Sequence, residues 1–494
     1  MKDIPITVKN VKDFPLIAII LAAGKGTRFK SEKPKVLHKV LGKPMIWYVK
    51  YAVSWIKPDE IVFVVGHKKE EVIKELNCDG CKFVYQEQQL GTGHAVLTAR
   101  EYFKDFDGYV LIINGDTPLI GGETLKNARE YFKALIRYEG ANLETYKGYR
   151  NKSIAGVMIT ARVPNPYGYG RVIKDGSHRV IKIVEEKDAT PQEKNINEVN
   201  SGIYLFYAPY LYDALEKLEN NNAQKEYYLT DVIEILRQEE KYIYALEIPD
   251  YTEVLNVNDR LQLAGVENIL KQRYITFWAL NGTTFHQPES TWIEFDVNLS
   301  RDVEIYQNCF LSGETSIDER TIIEPNCIIK NSKIGKNVKI LANSYIEDSI
   351  IEDNAVIGPF ARIRNNTVIK ESAVIGNFVE VKNSIIGERT NARHLSYLGD
   401  AEIGKDVNIG AGTITCNYDG FRKHKTIIKD RAFIGSDTML VAPIVIGEEA
   451  VTGSGSVITK DVPDKALAIE RNQQKIIENY AEKRKKKVME NEGS

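Results

Sequence analysis

Two kinds of hydrophobic spacing divide this chain. In its first half, short apolar runs (Phe14 to Leu21, Ile61 to Gly66, Lys82 to Gln86, Tyr109 to Asp116) alternate with stretches whose apolar residues recur every three or four positions. Apolar runs of that length read as buried strands, and buried strands separated by amphipathic helices point to a parallel, doubly wound sheet whose ligands gather at the carboxyl ends of the strands. Asp259 to Leu280 then reads as one helix, with Leu263, Val266, Leu270, Tyr274 and Phe277 at helical steps. After Asn281-Gly282 the spacing changes for good, to an aliphatic residue at every sixth position: Ile317, Ile323 and Ile329; Ile334, Ile340 and Ile346; Ile351 onward through Ile375 to Val381; later Ile428, Ile434, Leu440, Ile446 and Ile458. A period of six is neither that of a helix, about 3.6, nor that of a strand, about 2, so each repeat is one flat side of a coil.

These hexads resemble the left-handed parallel β-helix, a triangular solenoid stabilised by neighbour on neighbour. One-residue slips, as from Ile329 to Ile334, imply a shortened turn. Glu388 to Asp400 and Gly412 to Thr426 interrupt the period and are expected to leave the prism as loops, where sites on rigid scaffolds usually sit. The spacing therefore predicts an α/β, Rossmann-like domain over 1–258, a linking helix over 259–282, and a β-helix with a charged, solvated helical tail over 283–494.

The first strand runs into Leu21 to Lys35, LAAGKGTRFKSEKPK. Gly24 and Gly26 form a tight turn whose backbone N–H groups can face an anion, and Lys25, Arg28 and Lys35 add three cations, enough to oppose a nucleoside triphosphate. The stretch lacks the G-x-x-x-x-G-K-[ST] spacing, and Phe29 stands where G-x-G-x-x-G needs its third glycine. At the ends of later strands lie Gln86 and Gln89 in QEQQLGTGHA and Asp116 in NGDTPL.

Composition narrows the function. The 494 residues include 66 basic and 68 acidic ones, a balance that produces no global field for nucleic acid or an anionic membrane. The start MKDIPITVKNVKDF has no apolar signal core and no stretch approaches a bilayer span, so the expected location is the cytoplasm. Five cysteines, an odd number, argue against a disulfide framework, and Cys78-x-x-Cys81 reads as reduced, structural thiols.

The string L-A-A-G-x-G-T-R…P-K resembles the nucleotide-binding signature of sugar-nucleotide pyrophosphorylases. NPYGYGR from Asn165, VEEKDA from Val184, EVNSGIYLF from Glu198, NAQKEYYLTD from Asn222 and NVNDRLQL from Asn256 follow in the order found in the uridylyltransferase half of the bacterial bifunctional enzymes that make UDP-N-acetylglucosamine, the GlmU family. ARIRNN from Ala361, GNFVEVKNS from Gly376, HLSYLGDAEIG from His394, NIGAGTITCNYDG from Asn408 and FIGSDTMLVAP from Phe433 resemble its acetyltransferase half.

That resemblance implies two sites. In the first, Leu21, Ala22, Ala23 and Gly24 lie against the nucleotide, Arg28 and Lys35 meet its phosphates, and Gln86, Gln89, Gly91 and Thr92 hold uracil. Asp116 and Asn258 would ligate Mg²⁺, and Gly170, Glu185, Asn200 and Asn258 the N-acetylglucosamine 1-phosphate. In the second, His394 is the general base, a role suited to an imidazole, whose reference pKa of ~6.5 lies close to neutral pH. Arg364 and Lys382 bind the phosphate of glucosamine 1-phosphate, Tyr397 and Asn408 its sugar, and Ala411, Asn417, Tyr418, Ser436, Ser454 and Arg471 acetyl-CoA. UTP and acetyl-CoA are the implied co-substrates, peptidoglycan precursor synthesis the implied setting, and a homotrimer packed through the β-helices the implied assembly.

Two other readings stand beside this one. A single-activity sugar-1-phosphate nucleotidyltransferase could use the β-helix only for assembly, against which His394, Arg364 and Lys382 weigh. A non-enzymatic two-part scaffold is opposed by the set Lys35, Asp116 and Asn258. The residues before Phe14, the segment from Tyr138 to Ser153 and the tail from Glu482 depart from the family pattern.

Overall fold

The computed structural model describes residues 14–138, 153–222, 224–471 and 473–492; the extension before Phe14 and nearly all of the Tyr138 to Ser153 segment lie outside them. Two compact units divide between Lys271 and Gln272.

The first unit is built on a mixed sheet. Its strands are β1 (Leu16–Ala22), β2 (Glu60–Val65), β3 (Lys82–Tyr85), β4 (Tyr109–Asn114), β5 (Ile154–Arg162), β6 (Arg171–Lys174), β7 (Val180–Val184), β8 (Glu198–Tyr207) and β9 (Tyr242–Ile248). The order is β9-β5-β8-β4-β1-β2-β3, with β6 pairing β8 and β7 beside it. Along β1 the side chains alternate between two cores. Leu16, Ala18 and Ile20 face helices α1 (Met45–Ser54), α2 (Lys69–Leu76) and, beyond the next crossover, the long helix Gly122–Tyr138. Ile17 and Ile19 face the opposite core, to which helix α3 (Thr92–Thr98) contributes Ala95 and Val96. Both faces are covered, which is why the strand reads as an unbroken apolar run.

The expectation of a parallel sheet holds for β1 to β4 and needs one correction: β8 runs antiparallel to both β4 and β5. After β5 the chain makes the antiparallel pair β6–β7 instead of a crossover helix, so it re-enters the sheet from the end where β5 left it and must run back. This reversal matters for the site. It sets Asn200, at the start of β8, and Gly170, before β6, at the carboxyl ends of the parallel strands, where the Asn200 N–H donates to the Gly170 carbonyl at 2.9 Å. A bulge between Asn200 and Tyr204, with Gly202 at φ 75°, bends β8 there.

Cys78 and Cys81 are joined as a disulfide, against the expectation of free thiols. The helix before them ends on left-handed Asn77, and the turn through Gly80 brings the two Cα atoms to 5.6 Å, within bridging reach.

The second unit is a left-handed parallel β-helix of three sheets with eleven, ten and nine strands. Each six-residue step carries the chain to the next sheet, so Ile317, Ile323 and Ile329 point inward from three different sides. The stacked neighbours are a whole coil apart: Ile317, Ile334, Ile351, Ile369, Ile386, Ile403, Ile428 and Ile446 form one continuous buried column. At one corner an asparagine ladder measures the coil, stepping 18 residues from Asn308 to Asn326 and 17 from Asn326 to Asn343. The 17-residue step is the slip visible in the hexads.

Glu388 to Asp400 does not leave the prism. Asn391–His394 and Tyr397–Gly399 are strands in register with the coils on either side, with Ala392 and Leu398 taking inward positions. Of the second interruption only the stretch between Cys416 and Thr426 projects, closed by a bridge between Tyr418 and Lys423. The tail is helical over Tyr480–Glu492 and exposed from Tyr480 to Met489.

Candidate active sites

Four polar side chains converge beyond the end of β1. Gly26 sits at φ 59°, and a Cβ there would lie 2.8 Å from Cβ of Lys35, so the loop closes on Lys35 only because this residue is glycine. The turn Thr27–Phe29 follows, pinned by buried Phe29, and leaves Arg28 free to donate to Oδ1 of Asn258 at 2.9 Å. Lys35 pairs with Oδ2 of Asp116 and reaches the same Asn258 oxygen at 3.5 Å. The Asn258 segment is held by the Val257 N–H, which donates to the Asp116 carbonyl at 3.0 Å, and by the Thr117 hydroxyl, which donates to Asn256 at 2.9 Å. Oδ1 of Asp116 is buried without a hydrogen-bond partner among the described residues.

Beside this group the chain after β3 folds over the loop. Gln89 donates to the Ala23 carbonyl at 2.9 Å, tying the two segments together. Buried Gln86 donates to the Gly91 carbonyl at 3.2 Å and faces Nδ1 of His94 at 2.9 Å. Gly91 has φ 108°, and Thr92 accepts from the Leu229 N–H at 3.1 Å. Ala22 and Ala23 are buried beneath, and Gly24 has open space above it.

A cleft of about 170 Å³ opens next to these groups, lined by Leu21 and Thr92 on one side and Gly170, Glu185 and Asn200 on the other. A Cβ on Gly170 would fall 2.8 Å from Ile183 and 3.4 Å from the Glu185 carboxylate, so the backbone itself forms that wall. Burial pushes the Glu185 carboxyl up, opposed by a hydrogen bond from Thr230 and reinforced by the charges of Asp231 and Asp188. Asn200 accepts from the Gly202 N–H and the Tyr204 hydroxyl, each at 2.9 Å. The sequence reading missed Tyr169, Tyr204, Thr230, Asn256 and Asn114, which also line this cleft. Tyr169, Tyr204, Thr230 and Asn256 stand inside matched segments, and nothing in their own chemistry marks them out.

On the β-helix, Arg364, Lys382 and Gly399 are register partners on three successive coils of the ten-stranded sheet, and Tyr397 follows Glu380 in the same ladder. Glu380 accepts from Nε and Nη2 of Arg364 at 2.8 and 2.6 Å. Buried Lys382 lies 3.4 Å from Asp400, which also accepts from Asn383 at 2.5 Å and from Asn417. Burial alone would raise the Asp400 carboxyl, but these two amides and the Lys382 charge hold it below the usual carboxylate range. Lys423, from the projecting loop, lies against Lys382, and contact with that second cation and its charge lowers the Lys423 ammonium. Lys423 is thus a third cation beside Arg364 and Lys382 that the hexad pattern could not place.

His394 ends a strand of the eleven-stranded sheet, its ring exposed and its Nδ1 2.9 Å from Oδ1 of Asn377. Asn408 lies one coil beyond, in register with Asn391. Ala411, Ser436 and Ser454 each follow a glycine that bonds to the next coil, and a Cβ on Gly410 or Gly435 would come within 2.6 Å of backbone. The guanidinium of Arg471 lies against Gly453 at the top of that column. Asn417 turns to Asp400, and Tyr418 is exposed on the projecting loop.

A nucleotidyl transferase family model matches residues 17–253, and a model of the GMPPB C-terminal domain matches 293–386. The chain is 48% identical over 472 residues to the bifunctional protein GlmU of Aquifex aeolicus, covering 95% of this chain and 99% of that one. It is 46% identical to the GlmU proteins of Streptococcus thermophilus (94% and 97% covered) and Streptococcus mutans (94% and 98% covered). With both halves of those relatives spanned end to end, the chain belongs to the GlmU family of bifunctional uridylyltransferase and acetyltransferase enzymes.

Proposed function

We propose that two sites act in turn on one small molecule. The β-helix acetylates glucosamine 1-phosphate with acetyl-CoA, and the mixed-sheet domain transfers UMP from UTP to the resulting N-acetylglucosamine 1-phosphate. The observation that carries the reading is the convergence of Arg28, Lys35, Asp116 and Asn258 beside the Gly170–Glu185–Asn200 cleft. The domains are assigned as 1–258 and 283–494, joined by a helix over 259–282.

In the uridylyl step a phosphate oxygen of the sugar attacks the α-phosphorus of UTP, the bond to the bridging oxygen breaks, and pyrophosphate leaves with that electron pair. A phosphate monoester with a second pKa of about 6 is already ionised near neutrality, so no protein base is needed. Arg28 and Lys35 neutralise the triphosphate, the wall of Leu21 to Gly24 receives it, and Gln86, Gln89, Gly91 and Thr92 hold the base, whose donor and acceptor edges suit carboxamides. Gly170, Glu185 and Asn200 seat the sugar phosphate. The buried, unpartnered oxygen of Asp116 and the amide oxygen of Asn258 form a hard donor pair that fits Mg²⁺. Held there, the ion supplies positive charge against the phosphates.

In the acetyl step the sugar amine attacks the thioester carbonyl while Nε2 of His394 takes the amine proton. The C–S bond then breaks, and the thiolate leaves and is protonated. Arg364 and Lys382, with Lys423, hold the sugar phosphate; Tyr397 and Asn408 hold the ring; Ala411, Asn417, Tyr418, Ser436, Ser454 and Arg471 receive acetyl-CoA. The resemblance also supports a homotrimer packed through the β-helices and a cytoplasmic setting. No helix among the described residues is long and apolar enough to cross a membrane.

The test supplies purified protein with glucosamine 1-phosphate, acetyl-CoA, UTP and Mg²⁺ and follows free thiol and pyrophosphate separately, beside Asp116→Ala and His394→Ala. Each substitution is expected to abolish only its own signal when that step's substrate is supplied directly. Pyrophosphate from preformed N-acetylglucosamine 1-phosphate without any thiol release would make the β-helix a scaffold.

A further inference from the structure

The strands Val374–Asn377 and Asn391–His394 are four residues long, whereas the others of their sheet have two. The added length carries the pairing out to Asn377 and His394, which are register partners on adjacent coils. Two features hold the coils close at this end. A Cβ on Gly376 would lie 2.0 Å from the Arg393 carbonyl, so only glycine permits the approach. The Leu395 N–H donates to the Asn377 carbonyl at 3.0 Å, and the Ser396 hydroxyl donates to the His394 carbonyl at 2.8 Å, fixing the backbone on both sides of the ring.

The side chains continue this order. Oδ1 of Asn377 is 2.9 Å from Nδ1 of His394, so Nδ1 is committed to the protein and Nε2 is the nitrogen left for a substrate. A neutral imidazole carries one N–H, and it can accept a proton at Nε2 only if that N–H is at Nδ1. An amide presenting its oxygen to Nδ1 selects this tautomer. The same oxygen then faces the positive charge that develops when Nε2 takes up a proton.

We infer that Asn377 is a positioning residue for acetyl transfer, holding His394 as the Nδ1–H tautomer with Nε2 open to the amine; this rests on the reading of His394 as the base. Asn377 itself touches no reacting atom.

The experiment compares Asn377→Ala, Asn377→Asp and His394→Ala in the full chain, with the circular-dichroism spectrum and thermal midpoint of each variant as the control for folding of the β-helix. Asn377→Ala is expected to lower kcat for thiol release by about tenfold to a hundredfold, part of the ~10² to 10⁴ that a positioned base contributes, with KM for both substrates within about twofold. In ¹⁵N-histidine-labelled protein, with the His394 signals assigned by their loss in His394→Ala, the wild-type ring should be protonated at Nδ1, and Asn377→Ala should move the proton to Nε2. Asn377→Asp, which still accepts from Nδ1–H, should keep both the tautomer and most of kcat. Loss of kcat with an unchanged tautomer, or an unchanged kcat, overturns the inference. Thiol release surviving in His394→Ala would instead overturn the base reading, and this inference with it.

Discussion

One carboxylate oxygen of Asp116 is ion-paired with the ammonium of Lys35, while its other oxygen is buried and has no hydrogen-bond partner among the described residues. A buried acceptor left unpaired costs about 1 to 3 kcal/mol, more when charged, so the arrangement is poised for a cation. No group of three or more His, Cys, Asp or Glu converges among the described residues, and the carboxylate that faces this site with an unpartnered oxygen is that of Asp116. Chelating divalent ions should stop pyrophosphate formation and leave thiol release intact. Asp116→Asn, which keeps the shape and removes the charge, should lower uridylyl transfer by about 10² or more and raise the Mg²⁺ concentration needed for half-maximal rate. An unchanged Mg²⁺ dependence would place the ion elsewhere.

Gly91 is a second sensitive point. At φ 108° an L side chain is strained, and its Cβ would lie 2.6 Å from the Tyr227 carbonyl. Gly91→Ala should cost on the order of 1 to 3 kcal/mol and displace the Thr92–Leu229 hydrogen bond. The measurable result is a raised KM for UTP and a lower thermal midpoint for uridylyl transfer, with acetyl transfer unaffected.

Asp231 links pH to stability. It opens the helix Asp231–Gln238, where burial, followed by the charges of Glu234 and Asp188, pushes its carboxyl from 3.8 up to about 6. Between those values the folded chain keeps a proton that the unfolded chain has released, so this group's contribution falls as pH rises through that window and stays unfavourable above it. Urea midpoints of Asp231→Asn should match wild type below about pH 4 and exceed it above about pH 6, from the shift just given. A difference independent of pH would contradict the assignment.

The β-helix should respond as a stack. Ile363 is fully buried between Ile346 and Val381, one residue from Arg364. Ile363→Ala should cost about 2 to 5 kcal/mol through the cavity it leaves. Because each coil rests on its neighbours, thermal inactivation of thiol release should shift down well before that of pyrophosphate formation. Equal shifts in both activities would show that the effect is not confined to the solenoid.

The sequence by itself determined the local elements. The apolar run before Leu21-Ala-Ala-Gly, the helical steps after Asp259 and the sixfold isoleucine spacing are each a backbone period, and a backbone period is readable within one window of sequence. Gly26 was legible as a turn for the same reason, since its left-handed φ is a property of one residue. Only the tertiary structure decided which elements meet. Arg28 and Asn258 are 230 residues apart and share a 2.9 Å hydrogen bond. The reversal of β8 that brings Asn200 to the strand ends follows from how the chain re-enters the sheet after β6–β7, which no periodicity records. The Cys78–Cys81 bridge depends on the turn through Gly80 closing at 5.6 Å. On the β-helix the six-residue period shows that coils exist, but the 17-residue step that stacks Asn377 against His394 depends on one shortened corner, and a single slip in that count would part them.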